Sequence, residues 1–467
     1  MKYVSTRGLA PELDFEDVVL EGLASDGGLY IPKSLPKFSA QEISKMSKLS
    51  YQELFFEVTK DFIGDCLDAK TYQLIIDQSY KNFHHSAIAP LKQISHNHFL
   101  LELFHGPTLS FKDFALQFLG NLLTHILSKN KQEIIIIGAT SGDTGSAAIM
   151  GCKSCQNAKI FILHPDNLIS SIQRKQMTTI LDENVFNIAL KGNFDDCQKM
   201  VKSMFANQEF LAGKKMVAIN SINWARIMAQ IVYYFYSALR LGSQINNISF
   251  VVPTGNFGDI YAGFLAKKIG LNISKLVIAT NSNDILHRFL KNNDYKKMPL
   301  RATLSPSMDI QVSSNFERLL FYYYQQKNSK ESLIALIKNF ELNGEIKVDV
   351  GILEEIRAEF DSVKVYDQEI ITTISKTNLA TGEIVDPHTA IGVFAAKQYA
   401  ASKDYQGELM VSLATASSVK FPEAIVRAGL KSPALPQFLK DLPTQKERYQ
   451  IIENDLQMVK DYIAGNI

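Results

Sequence analysis

Glu133-Ile134-Ile135-Ile136-Ile137-Gly138-Ala139-Thr140-Ser141-Gly142-Asp143-Thr144-Gly145 holds a strand, a turn and the start of a helix in one stretch. The isoleucine run is too short and too rich in β-branched residues for a helix, and its unbroken apolarity is that of a strand covered on both faces. Small polar residues end it, and helical spacing follows. Two further stretches have the same form: Ile248-Ser249-Phe250-Val251-Val252 leads into Pro253 to Asp259, and Leu409-Met410-Val411-Ser412-Leu413 leads into Ala414 to Lys420. Short apolar runs alternating with helical stretches predict an α/β protein with parallel sheet covered by helices. In open sheets of this kind ligands sit at strand-to-helix turns, where a helix start presents unpaired N–H groups, so the three loops can share one site.

At 467 residues the chain exceeds the usual limit of one hydrophobic core, and two or three packed domains are expected. A formal net charge of +1 with 21% charged residues leaves no broad basic field for a phosphate backbone, so no nucleic-acid partner is expected. No apolar run approaches the roughly 20 residues that span a bilayer. The start, Met1-Lys2-Tyr3-Val4-Ser5-Thr6-Arg7, lacks a signal peptide's hydrophobic stretch; a cytoplasmic protein without a membrane partner is expected. Four cysteines make no disulfide framework, and Cys152 and Cys155, the one C-x-x-C pair, lack a second pair to complete a zinc site. They read as ordinary thiols, and no metal is expected. The segments around Lys291 to Lys297 and Lys327 to Glu345 are polar and read as surface insertions, while the first ninety-odd residues read as a helical unit of their own.

In His105-Gly106-Pro107-Thr108-Leu109-Ser110-Phe111-Lys112-Asp113-Phe114 a Gly-Pro turn leads to Ser110, with Asp113 three residues on, the form of a capping box. Phe111, Phe114, Ala115, Phe118, Leu119, Leu122, Leu123 and Ile126 keep helical spacing, which places Lys112 in the first turn of a helix that buries one face. The positive end of the helix dipole disfavours an ammonium there, and desolvation depresses its pKa further. A neutral amine is the nucleophile that captures an aldehyde. Taken alone, the pattern reads first as a solvent-exposed lysine after a cap, since most lysines are exposed.

The Gly138-to-Ala148 loop offers backbone N–H groups at a helix start, with Ser141 and Thr144 as side-chain donors, a combination suited to a carboxylate. Gly255-Asn256-Phe257-Gly258-Asp259 follows a buried strand and lets backbone come close to a phosphate. Neither loop matches a P-loop or a dinucleotide fingerprint, and each alone suits a tight structural turn. Asn220-Ser221-Ile222-Asn223-Trp224-Ala225-Arg226 gathers two amides, a hydroxyl and an arginine at another helix start; arginine is suited to bidentate phosphate binding, and an ordinary cap with a surface arginine fits as well. Asp386-Pro387-His388-Thr389 reads as an N-cap with proline at the first helical position, and His388 as structural ahead of catalytic.

Together these segments resemble the threonine synthase family, in its branch with a long N-terminal unit. The resemblance runs from Ser5-Thr6-Arg7-Gly8 and Leu20 to Pro32 through the Lys112 segment, Thr140 to Gly145, Asn220 to Arg226, Gly255 to Asp259, Thr303 to Ile310 and Asp386 to Gly392. It implies a pyridoxal-phosphate (PLP) enzyme of fold type II: two open parallel-sheet domains covered by helices plus an N-terminal unit, with the active site in the cleft between domains. The expected division is 1–95 for the N-terminal unit, 96–130 with 240–467 for the larger domain that holds the cofactor phosphate, and 131–239 for the smaller α/β domain with the carboxylate loop.

For the residues, the resemblance implies that Lys112 carries the cofactor as a Schiff base and acts as the catalytic base. Gly255, Asn256, Phe257 and Gly258 would hold the cofactor phosphate, Thr415 would contact the pyridine nitrogen, and Asp259 and Asp143 would be further cofactor contacts. Ser141 and Thr144 would hold the substrate carboxylate and Asn220, Ser221 and Arg226 would lie near the substrate phosphate, with Thr140, Gly142 and Asn223 as further substrate-binding residues. A hydroxyl beside the ring nitrogen leaves the ring less fully protonated and favours elimination over transamination. The chain departs from the family where relatives read Thr-Ala-His-Pro-Ala-Lys-Phe, having Thr415-Ala416-Ser417-Ser418-Val419-Lys420-Phe421 instead. The implied reaction converts O-phospho-L-homoserine and water to L-threonine and phosphate, the last step of threonine biosynthesis. The alternative is a phospholyase of the same fold that releases a 2-keto acid, ammonia and phosphate. A monomer is expected, with a dimer as the alternative.

Overall fold

Runs of β-branched residues become strands, and the amphipathic stretches between them become the helices that cover both faces. The computed structural model describes residues 1–243 and 245–467. In chain order the first strands are β1 (Tyr3–Ser5), β2 (Tyr30–Pro32), β3 (Leu91–Ser95), β4 (His98–Glu102), β5 (Ile134–Ala139), β6 (Ala158–Pro165), β7 (Val185–Lys191) and β8 (Lys215–Val217). Then come β9 (Ile248–Pro253), β10 (Leu276–Thr280), β11 (Tyr295–Lys296), β12 (Glu345–Ile346), β13 (Phe360–Lys364), β14 (Leu409–Ala414) and β15 (Gln450–Glu453).

One sheet has the order β13-β10-β9-β14-β4-β3 and is parallel except for the β3–β4 hairpin. The second, β15-β7-β6-β5-β8, is parallel throughout. Every residue of β9 and β10 is buried, as strands covered on both faces require. The three apolar runs singled out in the sequence are β5, β9 and β14, each ending one or two residues later than the run itself. All three feed their loops toward one region.

The sheets cut the chain differently from the expected division in two places. Helix Trp224–Arg240, assigned above to the smaller domain, packs on helices Gly258–Lys268, Tyr51–Ile63 and Lys112–Asn130 instead. Every residue from Trp224 to Leu239 is buried, so the helix needs cover on all sides, which a two-layer edge position does not provide. At the other end, β15 joins β7 at the edge of the five-stranded sheet, and helix Leu456–Ala464 buries Val459 and Ile463 beside it. Residues 450–464 thus return to the smaller sheet. The N-terminal residues bring their own helices and the β1–β2 pair, yet their core is continuous with the rest. The Phe55 ring lies 4.8 Å from that of Phe118, Tyr51 5.2 Å from Tyr236 and Tyr3 5.7 Å from Trp224.

One contact sets the geometry of the site. A Cβ on Gly120 would come 1.9 Å from the Gly151 carbonyl oxygen, and one on Gly151 would come 2.3 Å from that of Leu116. Helix Lys112–Asn130 and helix Asp143–Cys152 therefore meet backbone to backbone, which fixes the separation of their N-terminal ends. At the periphery, β11 and β12 form a two-stranded ribbon and helix Lys330–Asn343 buries only Leu333 and Ile337, in line with surface insertions. Among the described residues no helix is long and apolar enough to cross a membrane. All four cysteines are free, and burial pushes the Cys152 thiol up to about 12.

Candidate active site

Lys112 is the first residue of its helix, but the expected capping box is absent. Phe111 is the N-cap residue and makes no side-chain cap, and the buried Ser110 hydroxyl has no partner. The Asp113 carboxylate instead accepts from the Thr108 N–H and the Thr108 hydroxyl, both at 2.8 Å. The Gly106-Pro107-Thr108 turn folds so tightly over the helix start that a Cβ on Gly106 would lie 2.5 Å from Asp113 Cβ. Asp113 thus closes the turn ahead of the helix rather than capping Ser110, and burial pushes its carboxyl up to about 6. Leu109, at φ 61°, carries the strain of the turn. The segment is then zipped onto the end of β14: Phe111 N donates to Thr415 O at 2.8 Å and Ser417 N to Leu109 O at 3.0 Å.

The Lys112 side chain is 11% exposed, with Nζ 3.5 Å from Asp143 Oδ2. Burial pushes its amine below the ordinary lysine value against the pull of Asp143, and the charges of Lys420 and Arg226 push the same way as burial. Asp143 lies in the first turn of its own helix and is buried. Its Oδ1 accepts from Lys420 Nζ at 2.7 Å and Gln173 Nε2 at 2.9 Å, and its Oδ2 from the Ser307 hydroxyl at 3.3 Å. Burial works against the ionised form, yet the ammoniums of Lys420 and Lys112 hold this carboxyl far below the usual range. Thr140 shapes the loop: its hydroxyl oxygen accepts from Gly142 N at 2.9 Å and Gly145 N at 2.8 Å. Ser141 and Thr144 are half-buried beside it. Gly142 stands at φ 129°, where a Cβ would meet Gln173 Cδ at 2.4 Å, so no other residue fits.

The Gly255-to-Asp259 loop ends β9 and starts helix Gly258–Lys268. Phe257 sits in the left-handed region at φ 64°, its ring packed against Phe316 and Phe360. A bulky residue with that backbone is strained, and such strain collects where a loop must present its N–H groups in a set direction. A Cβ on Gly255 would lie 3.1 Å from Ile310 Cγ1 and 3.2 Å from Ser307 O, a tight fit that favours glycine there. Asn256 O accepts from Asn315 N and Nδ2, both at 3.0 Å. Asp259 points inward: its Oδ1 accepts from Tyr233 Oη at 2.6 Å and Tyr234 Oη at 2.9 Å, Oδ2 has no partner, and burial pushes the carboxyl up to about 6.

In the third segment the residues divide. Arg226 is buried; Nη1 donates to Ile219 O at 3.2 Å, Nε has no partner, and no carboxylate pairs with it among the described residues. Burial pushes its guanidinium down to about 10. Ser221 Oγ lies 3.4 Å from Ser314 Oγ, and the exposed Asn220 accepts from Ile222 N at 3.2 Å. Asn223 is spent on structure: Oδ1 caps Ala225 N at 3.1 Å while Nδ2 donates to Val19 O at 2.9 Å and Ala218 O at 3.3 Å. The amide has no donor left over for a ligand. His388 is held by Asp386 Oδ2 at 2.6 Å, and Asp386 also caps the N–H groups of His388 and Thr389.

Several participants were not read from the sequence. Lys420, Gln173 and Ser307 surround Asp143, and Asn315 bridges two loops by donating to both Asn256 O and Ser221 O at 3.0 and 3.1 Å. Arg318, fully buried, donates to Ile222 O at 2.6 Å and Tyr30 O at 2.9 Å, tying the third segment to the N-terminal hairpin. Of these, Ser307 lies in the Thr303-to-Ile310 segment that carried the resemblance, and Lys420 is a lysine in an otherwise small, uncharged loop after a buried strand.

An aldehyde cofactor with a phosphate tail fits this donor set. The amine of Lys112 is shielded and depressed, and the Gly255 backbone is bare. Lys112 and Lys420 share Asp143, whereas no carboxylate pairs with Arg226 among the described residues, which leaves a positive charge for an anion.

Three family models match the chain: the threonine synthase N terminus over residues 2–80, the pyridoxal-phosphate dependent enzymes over 86–338, and the threonine synthase C-terminal model over 389–463. A threonine synthase of Pseudomonas aeruginosa is 53% identical over 99% of this chain and 98% of its own. The PLP-bound threonine synthase of Brucella melitensis superposes with a TM-score of 0.95 at 44% identity, covering 100% of this chain and 99% of that one. Yeast threonine synthase gives 0.93 at 40% identity, covering 100% and 98%. With a shielded lysine at the head of its helix, a bare glycine turn and relatives matched from end to end, the chain belongs to the threonine synthase family of pyridoxal-phosphate enzymes.

Proposed function

We propose that the chain catalyses the conversion of O-phospho-L-homoserine and water to L-threonine and phosphate with pyridoxal phosphate. The observation that carries this reading is the meeting of a shielded, depressed lysine with a buried arginine that has no carboxylate partner among the described residues. The first suits an aldehyde, and the second suits a substrate that brings a phosphate.

In this reading Lys112 would hold the cofactor through Nζ, the Gly255-to-Gly258 backbone at a helix start would hold its phosphate tail, and Thr415 would face its ring nitrogen. Asp143 keeps Lys112 Nζ in place at 3.5 Å. The cofactor, when bound, supplies the electron sink that makes neighbouring C–H bonds of the amino acid acidic. Lys112 Nζ, freed by the incoming substrate amine, takes the α proton. Ser141 and Thr144, with the N–H groups at the start of helix Asp143–Cys152, hold the substrate carboxylate, and Thr140 and Gly142 shape that loop. Arg226, with Ser221 and Asn220 beside it, holds the substrate phosphate and stabilises its charge as it leaves the γ carbon. Asn223 supports the same loop as its cap.

The test is incubation of the purified protein with pyridoxal phosphate and O-phosphohomoserine, followed by product identification. Threonine and phosphate in equal amounts are expected. A 2-keto acid with ammonia would make the chain a phospholyase, and no release of phosphate would sink both readings. A cytoplasmic monomer is part of the same proposal; sedimentation as a larger species would overturn the monomer.

A further inference from the structure

Lys420 is 0% exposed, and full burial of an ammonium is costly unless it is paired. Its Nζ donates to Thr108 O at 2.8 Å and to Asp143 Oδ1 at 2.7 Å. Thr108 belongs to the turn that presents Lys112, and Asp143 is the carboxylate 3.5 Å from Lys112 Nζ. One carboxylate therefore stands between two lysines. Its Oδ1 is filled by Lys420 and Gln173, and Lys112 is left with Oδ2, where the Ser307 hydroxyl also donates.

We propose that Lys420 is a positioning residue for Lys112: by occupying Oδ1 and sharing the single charge of Asp143, it keeps that carboxylate from locking Lys112 as a permanent ammonium. The proposal rests on the reading of Lys112 as the amine that captures the cofactor aldehyde, in which Nζ bonds to the aldehyde carbon and water leaves. The charged groups that face Lys112 are Asp143 from helix Asp143–Cys152, Lys420 from the loop after β14, Arg226 from helix Trp224–Arg240 and Asp259 from helix Gly258–Lys268; Asp113, on the helix of Lys112 itself, faces Lys420. Removing Lys420 withdraws a cation that pushes the amine down and hands the whole carboxylate to Lys112. Both changes act in one direction.

The experiment uses full-length protein stripped of cofactor. The rate at which it captures added pyridoxal phosphate covalently is followed by absorbance from neutral to alkaline pH. In Lys420→Met the midpoint should rise by about one pH unit, which is about tenfold slower capture on its acid side. Lys420→Arg, which keeps the cation, should return the midpoint toward the wild-type value. In Asp143→Asn/Lys420→Met the midpoint should fall to the wild-type value or below, because the carboxylate leaves with its partner. A midpoint unmoved in Lys420→Met, or still raised in the double variant, overturns the proposal. Should Lys420→Met fail to fold, Lys420→Gln, which can still donate to Thr108 O and Asp143 Oδ1 but carries no charge, decides by the same rise of the midpoint. Wild-type protein that captures no aldehyde at any pH would instead overturn the functional reading itself.

Discussion

Lys112 and Arg226 are both cations drawn out of water at one site, yet their surroundings differ. Lys112 has a carboxylate at 3.5 Å, itself shared with Lys420, Gln173 and Ser307. Arg226 has one carbonyl at 3.2 Å, an Nε without a partner, and no carboxylate among the described residues. The difference follows from what each has to do. An amine that must shed and regain a proton needs surroundings balanced near the point of titration, and an adjustable counter-ion supplies that balance. A group that must hold an anion keeps its charge, and any resident carboxylate would compete with the ligand. The unsatisfied guanidinium is thus stability given up in the ligand-free protein.

The largest expected effect breaks the comparison at Arg226. Arg226→Met should raise KM for the phosphorylated substrate by about 100-fold, the usual scale for removing one partner of a desolvated charge pair, with cofactor affinity nearly unchanged. In the ligand-free protein the same change should raise Tm, because an unpaired buried charge has been removed. Steady-state kinetics, cofactor titration and thermal melting test the three parts. Equal loss of substrate and cofactor binding would take Arg226 away from the substrate, and a lowered Tm would mean that its bond to Ile219 O outweighs the desolvation.

The next effect bears on the Lys112 side alone. Gly151→Ala puts a Cβ 2.3 Å from the Leu116 carbonyl oxygen, and neither backbone can yield without separating the two helices. A loss of about 3 kcal/mol in denaturant unfolding is expected, at the upper end for overpacking. Because these helices carry Lys112, Asp143 and the start of the carboxylate loop but not Arg226, kcat should fall and KM for the substrate rise together, while binding of inorganic phosphate stays near its original value. Unchanged stability would show that the helix contact does not set the spacing of the site.

What could be read from the sequence was what lies close together along the chain. The Ile134-to-Ile137 run, the glycine turn at Gly255 and the helical spacing after Lys112 each carry their signal within a dozen residues, and each became the element it suggested. What could not be read depends on distant partners. Lys420 meets its carboxylate at Asp143, Asn315 reaches back to Asn256 and Ser221, and β15 finds its sheet only by pairing with β7. Local grammar also misled in two places. Ser110 and Asp113 have capping-box spacing, but the Thr108 turn takes the Asp113 carboxylate first, and Asn223, read as a ligand donor, has its amide consumed by Val19, Ala218 and Ala225. In both cases a nearby backbone group outcompeted the expected partner.

The smallest effect sharpens the comparison from behind. Asp259 is the second carboxylate near Lys112, but two tyrosine hydroxyls hold it and burial pushes its carboxyl up to about 6. A carboxyl whose folded value lies above its unfolded one binds its proton more tightly when folded, so its contribution is fully present below the unfolded value and is lost as pH rises through about 6. At neutral pH the folded protein therefore carries the cost of an ionised, desolvated carboxylate. Asp259→Asn, which still accepts from Tyr233 and Tyr234, should remove that cost and stabilise the ligand-free protein by about 1 kcal/mol at pH above about 7, and by nothing in mild acid where the native carboxyl is already neutral. Thermal melts of both proteins across that range test it. A gain that grows toward acid, or one equal at every pH, would mean that Asp259 stays ionised throughout and acts as a second counter-ion to Lys112, which would unsettle that side of the contrast between the two cations.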